Sequence, residues 1–91
     1  MNYTYMLLCS DGSFYTGWTN DLRKRVRTHQ AGKGGRYTRS RLPVWLVYYE
    51  VFEEAKSARS REVYLKQLSH AGKKALAEGF SKELEKNMPE P

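Results

Sequence analysis

Residues 3–25, YTYMLLCSDGSFYTGWTNDLRKR, decide how this chain folds. Two short runs rich in Tyr, Thr, Leu, Phe and Trp flank Ser10-Asp11-Gly12, the composition of two strands, residues 2–9 and 13–18, joined as a hairpin. A helix follows. Thr19 or Asn20 can cap it by accepting from its first free amides, and Asp21 suits the positive end of its dipole. Leu22 and Val26 give it an apolar stripe one turn apart, and Gly32 ends it.

The turn determines which side chains can meet, because successive residues of a strand point to opposite faces. Tyr3, Tyr5 and Leu7 share a face of the first strand, and Ser13, Tyr15 and Gly17 share one of the second. A two-residue Asp11-Gly12 turn pairs Leu8 with Tyr15 and Tyr5 with Trp18, which sends the two tyrosines to opposite sides. An odd connection, with Gly12 in the left-handed region forming a bulge, puts Tyr5 and Tyr15 on the same side. In the helix, residues advance by about 100°, so Arg25 and His29 fall within roughly 60° of the stripe that must face the sheet. A guanidinium at the edge of a packing face needs anionic or hydrogen-bonding company, since desolvating it alone is costly. Two phenols, a guanidinium and an imidazole that converge in this way suit a phosphate guest.

Working outward, Lys33 to Pro43 is rich in Gly and basic residues without apolar periodicity and reads as a loop. VWLVYYEVF, residues 44–52, is a third strand, apolar on both faces and therefore expected at the centre of its sheet under helices. A second long helix should run from near Glu54 to about Leu68, and Ser69 can cap a third, shorter one that ends near Gly79. Phe80 to Pro91 reads as a polar tail that frays. Glu62 lies between Ala55, Ala58 and Leu65 in axial projection, so its carboxylate starts from the apolar side of the second helix. Mg²⁺ prefers hard oxygen ligands and keeps most of its waters, so one carboxylate suffices where substrate phosphate and water supply the rest.

The chain has 91 residues, 40% of them apolar, with seven Tyr, three Phe and two Trp. This is one domain's worth of core, too hydrophobic for a disordered chain, and it holds no apolar run of the length a membrane helix needs. Met1 to Tyr5 lacks the pattern of a secretory signal, and the lone Cys9 sits in an apolar run as a reduced core thiol; the cytoplasm is the expected compartment. The net charge of +6 is one-sided. Arg23, Lys24, Arg25, Arg27, Lys33, Arg36, Arg39 and Arg41 occupy a stretch without an acid, whereas the acids gather from Glu50 onward. Such a field favours a polyanion, and without an amphipathic anchor nucleic acid outranks a membrane. Arg23, Lys24, Lys33, Arg36, Arg39 and Arg41 are the expected phosphate contacts, with Tyr37 among them as a stacking residue. Gly34 and Gly35 do not form a P-loop, because no strand precedes them and no Lys-Ser/Thr pair follows. One Cys and two His do not make a structural zinc site.

Tyr3-Thr4-Tyr5 and Tyr15-Thr16-Gly17, followed by Arg25, His29 and Glu62, resemble the GIY-YIG nuclease signature. The likeness runs from about Asn2 to Leu76 and extends to GKGGRYTRSRLPVWLVYYE and SREVYLKQLS, which are similar to the small stand-alone bacterial branch, the YhbQ-like proteins. It implies an α+β fold in the order β-β-α-β-α-α, a three-stranded antiparallel sheet flanked by helices, with the domain over residues 1–79 and the tail over 80–91. It further implies hydrolysis of a DNA phosphodiester with one Mg²⁺ or Mn²⁺. By the same resemblance Tyr5 and Tyr15 position or deprotonate the attacking water, Arg25 neutralises charge on the phosphate, Glu62 holds the metal and His29 handles a proton or a phosphate oxygen. DNA is the implied partner, with RNA as an alternative and a protein partner supplying DNA specificity. A nucleic-acid-binding module of the same fold with little or no cleavage is the competing reading. Tyr3 replaces the first glycine of the name motif and Thr16 its isoleucine.

Overall fold

The computed structural model describes the backbone of residues 1–87 and the side chains of residues 1–81. Strands β1 (Asn2–Cys9) and β2 (Phe14–Thr19) form the expected hairpin, and β3 (Val44–Phe52) completes an antiparallel sheet in the order β2-β1-β3. The turn is the odd one. Cys9 N–H donates to Ser13 O at 2.8 Å and Gly12 N–H to Cys9 O at 3.0 Å, closing a loop of Ser10, Asp11 and Gly12. Gly12 takes φ 85°, where a Cβ would be strained. Asp11 Oδ1 fixes the turn by accepting from the backbone N–H and hydroxyl of Ser13 at 3.0 and 2.6 Å. The resulting register sets Tyr5 opposite Gly17 and Leu7 opposite Tyr15, so Tyr5 and Tyr15 share a face.

β3 is an edge strand, not the central one. The hairpin occupies one side of β1 and β3 pairs along the other, which makes β1 the middle strand. The two-sided apolarity of β3 arises from helices on both faces of the sheet, and Trp45 and Val51, each 48% exposed, mark its open edge.

Helix α1 (Leu22–Gln30) is capped by Asp21, whose Oδ1 accepts from Lys24 N–H at 3.2 Å. Thr19 instead accepts from Asp21 N–H at 3.1 Å and so sits two residues outside the cap. Leu22 and Val26 pack on the face formed by Tyr5, Leu7, Cys9 and Val44, as the stripe requires. Cys9 is a buried free thiol. The opposite face takes α3 (Ala55–Lys66), where Met6, Ala58 and Leu65 are buried and the Thr4 hydroxyl donates to Ala58 O at 2.7 Å.

Within the expected loop, Arg36–Arg39 form a short helix, α2, entered through Gly35 at φ 129°. The order is therefore the expected β-β-α-β-α-α with α2 added before β3. Ser69 does cap α4 (His70–Asn87), its Oγ accepting from Gly72 N–H at 3.1 Å. α4 does not stop at Gly79. A glycine inside an exposed helix costs about 1 kcal/mol, and this is offset where Phe80 packs edge-on against Tyr48 and Tyr49 at centroid distances of 5.3 and 5.1 Å. Phe80 belongs to the folded body, and residues 88–91 of the expected tail lie outside the described residues. Among the described residues no helix is long and apolar enough to cross a membrane.

Phe80→Ala is expected to lower the unfolding free energy by about 1–2 kcal/mol, less than a fully buried Phe→Ala change because the ring is half-buried. Urea denaturation measures it, and an unchanged midpoint would place Phe80 outside the cooperative unit.

Candidate active site

Tyr5 is 1% exposed at the middle of β1, and its hydroxyl lies over Gly17 of the neighbouring strand. A Cβ at Gly17 would stand 2.6 Å from that hydroxyl and 3.2 Å from Tyr15 Cε2. The glycine is thus required for clearance, so that a phenol can cross the neighbouring backbone. Tyr15 stands beside Tyr5 with ring centroids 6.4 Å apart. Thr16, in the isoleucine's place, points to the other face; among the described residues its buried hydroxyl has no hydrogen-bond partner. It fills space there as an apolar residue would.

His29 is fully buried and reaches the same face from α1. Its Nε2 is 2.9 Å from the Tyr5 hydroxyl and its Nδ1 is 2.8 Å from Thr38 Oγ1 on α2, and Thr38 is itself fully buried. The imidazole also lies 4.9 Å from the Tyr15 ring, centroid to centroid. Gly34 closes the far side so tightly that any Cβ would overlap the imidazole at Nδ1. Burial, then the nearby Arg25 charge, hold the His29 pKa below the ordinary 6.5, so the ring is neutral at pH 7. A neutral imidazole has one donor and one acceptor, and it therefore joins the Tyr5 phenol to the Thr38 hydroxyl in a directed chain. Burial likewise pushes the Tyr5 phenol up to about 12, against a lowering by the Arg25 guanidinium and with smaller raising contributions from Tyr15 and Glu62.

Arg25 leaves α1 at the edge of this cluster and is exposed, and its positive charge acts on the Tyr5 phenol and on His29. Glu62 arrives from α3. Its side chain is 18% exposed, it is near enough to influence Tyr5, and its Oε2 pairs with Lys66 Nζ at 3.1 Å. Tyr5, Tyr15 and His29 are therefore packed together with Arg25 at their edge, whereas Glu62 comes from the helix on the other face of the sheet and acts on Tyr5 only weakly, through space. Among the described residues no group of three or more His, Cys, Asp or Glu could cage a metal, so Glu62 is the carboxylate at hand. A single hard oxygen donor fits Mg²⁺ or Mn²⁺, which retain water ligands, and does not fit zinc.

The basic residues divide into two groups. Arg23, Lys24 and Lys33 line the outer side of α1 together with Arg27, and Arg36 and Arg39 are exposed on α2. Arg41 is committed within the chain: Nε donates to Asp11 Oδ2 at 3.0 Å and Nη1 to Tyr37 O at 3.0 Å, while its guanidinium stacks 3.8 Å from the Tyr37 ring centroid. Tyr37 is 37% exposed and 6.0 Å from Tyr15, centroid to centroid. Arg41 thus fastens α2 to the hairpin turn. Thr38 and Gly34 escaped sequence reasoning, because both serve a histidine on another element and carry no periodic mark of it.

The family model described as the GIY-YIG catalytic domain matches residues 1–75. The chain belongs to the GIY-YIG family. A UPF0213 protein of Clostridium perfringens is 56% identical over 69 residues, covering 76% of this chain and 74% of that protein. A UPF0213 protein of Halobacterium salinarum is 49% identical over 76 residues, 84% of this chain and 99% of its own length. The solution NMR structure of a UPF0213 protein from Bacillus halodurans shares 43% identity and a TM-score of 0.54, covering 86% of this chain and 84% of that one. GIY-YIG domains are associated with nuclease activity, nucleic-acid binding and divalent metals.

Gly17→Ala is expected to push the Tyr5 hydroxyl off Gly17 and lengthen its bond to His29, at a cost of about 1–3 kcal/mol. Nitrogen NMR of the His29 ring reads the lost bond, and an unchanged spectrum would show that the clearance is dispensable. Because the folded His29 pKa is depressed, its contribution to stability is complete above about pH 6.5 and declines as pH falls, where the unfolded state binds the extra proton. The melting temperature of wild type should fall more steeply between pH 7 and 5 than that of His29→Gln; parallel curves would contradict the assignment.

Proposed function

We propose that this chain is a metal-dependent endonuclease that hydrolyses a DNA phosphodiester at the Tyr5–His29–Arg25 cluster. The observation that carries the reading is the 2.9 Å contact of a buried phenol with a buried neutral imidazole, beside an accessible guanidinium. A phenol held up to about 12 is a poor base alone. With Nε2 of His29 accepting its proton and Nδ1–H donating to Thr38, the Tyr5 oxygen can take a proton from the attacking water as its own moves to the imidazole. Tyr15 bounds the space in which that water stands. Arg25 neutralises charge that builds on the phosphate, the preorganised electrostatic role that costs no rearrangement during reaction. Glu62 would hold one Mg²⁺ or Mn²⁺, whose contribution when bound is to neutralise the phosphate oxygens. Lys66 yields that carboxylate readily, since an exposed helix ion pair is worth about 0.3–0.5 kcal/mol. Arg23, Lys24, Arg27, Lys33, Arg36 and Arg39 contact backbone phosphates and set register. The buried reduced Cys9 suits the cytoplasm.

The same Glu62–Lys66 pair favours a second reading, a binding module in which the lysine takes the place of the metal and no strand is cut. A nicking assay with Mg²⁺ on duplex, flap and single-stranded DNA, and on RNA, separates the two. Arg25→Ala and Glu62→Ala should each lower cleavage by about 10²-fold or more, and Glu62→Ala should leave DNA binding intact or tighter. The rate should fall on the acid side only below pH 6.5, as His29 becomes protonated. Wild type that binds every substrate and cuts none would establish the module instead.

A further inference from the structure

Helix α1 divides the sheet face it covers. At about 100° per residue, Leu22, Val26 and His29 point to the sheet, Arg25 leaves on one flank, and Arg23, Arg27 and Gln30 leave on the other. Tyr5 and Tyr15 stand on the Arg25 flank. Along the opposite flank, between α1 and β3, lies an open hollow of about 590 Å³ that the chemistry above does not use. Its volume falls in the range of small-ligand sites.

The hollow is built from unlike parts. The apolar stripe of α1 floors it, and Tyr3 and Tyr49, packed edge to face at 6.2 Å, wall one side. Arg23 and Arg27 stand at the lip, and Gln30, whose Nε2 donates to Val44 O at 3.4 Å, brings an amide oxygen that can accept. The acid at the rim, Asp21, is engaged as the helix cap. A flat apolar surface, an edge-reading amide and paired guanidinium groups match the ring, the polar edge and the phosphate of a nucleotide. Tyr3 is the position where the name motif has glycine, so this wall is a departure of the present chain from that motif.

We infer that the hollow receives one unpaired nucleobase of the strand whose phosphodiester lies at Tyr5, with the adjoining phosphate on Arg23 and Arg27. The base must be unpaired because a base within a duplex is stacked on both faces and cannot lie against a protein wall. A strand crossing the outer face of α1 passes Lys24 and Arg27, which links the two flanks by a cationic path. This placement rests on the nuclease reading above, but the binding it describes needs no cleavage.

Fluorescence anisotropy in EDTA, with a labelled single strand of about twelve nucleotides and a duplex of the same sequence, tests it. Tyr3→Leu should weaken single-strand binding about fivefold or more while changing duplex binding less than twofold. Gln30→Trp, an exposed helix position whose ring would fill the hollow, should do the same and covers the case in which Tyr3→Leu fails to fold. An abasic site walked through the strand should reveal one position that costs wild type a similar factor and costs Tyr3→Leu nothing. Equal losses for both nucleic acids, no loss, or an abasic penalty that persists in the variant would each overturn the inference. Wild type that shows this coupling yet cuts nothing keeps the hollow and ends the nuclease reading. Wild type that cuts, with variants that bind the single strand unchanged, ends the hollow alone.

Discussion

The site depends on a buried chain of three polar side chains, the Tyr5 phenol, the His29 imidazole and the Thr38 hydroxyl, joined by contacts of 2.9 and 2.8 Å. All three are at most 1% exposed. At that depth an unsatisfied polar group costs about 1–3 kcal/mol, so each member holds the next in place. The chain ties β1 to α1 and α1 to α2, elements that the apolar core alone could shift past one another. Gly17 and Gly34 give it room from below and behind, and the Arg41 clamp to Asp11 keeps α2 where Thr38 can reach. A phenol so fixed cannot swing into solvent, and it meets whatever lies over Gly17 in one orientation.

Charge is arranged around this fixed point in two ways. Some is spent inside the fold, as in Arg41 with Asp11 and Arg61 with Glu50, where it fastens helices to the sheet. Much of the rest is left outward, with Arg23, Lys24, Arg25 and Arg27 on α1 and Arg36 and Arg39 on α2. These are the helices that carry His29 and Thr38, so a polyanion drawn to this part of the surface would be brought beside the buried chain.

The hairpin was legible because its turn chemistry admits two registers and the proximity of Tyr5 to Tyr15 requires one of them. Arg25, His29 and Glu62 could be placed because helical spacing relates them to apolar neighbours. What stayed hidden was non-local. VWLVYYEVF looks central by its apolarity, yet strand order is set by which side of β1 the hairpin leaves free. Gly79 looks like a helix stop until the ring of Phe80 is seen against Tyr48 and Tyr49. Arg41 counts as a phosphate ligand by charge alone, and its partner Asp11 stands 30 positions away. Thr38 sits in a basic, glycine-rich stretch that hides the one hydroxyl it commits to the core.

The place of β1 in the middle of the sheet has a bearing on how the chain is made. The N-terminal strand can zip onto β2 as soon as the hairpin leaves the ribosome, but its other margin pairs with residues 44–52. Until those emerge, a ladder of bare amides and carbonyls next to Tyr, Met and Leu side chains offers itself to any passing strand. Only the docking of β3 closes that margin and turns a sticky hairpin into a sheet whose middle strand is protected on both sides.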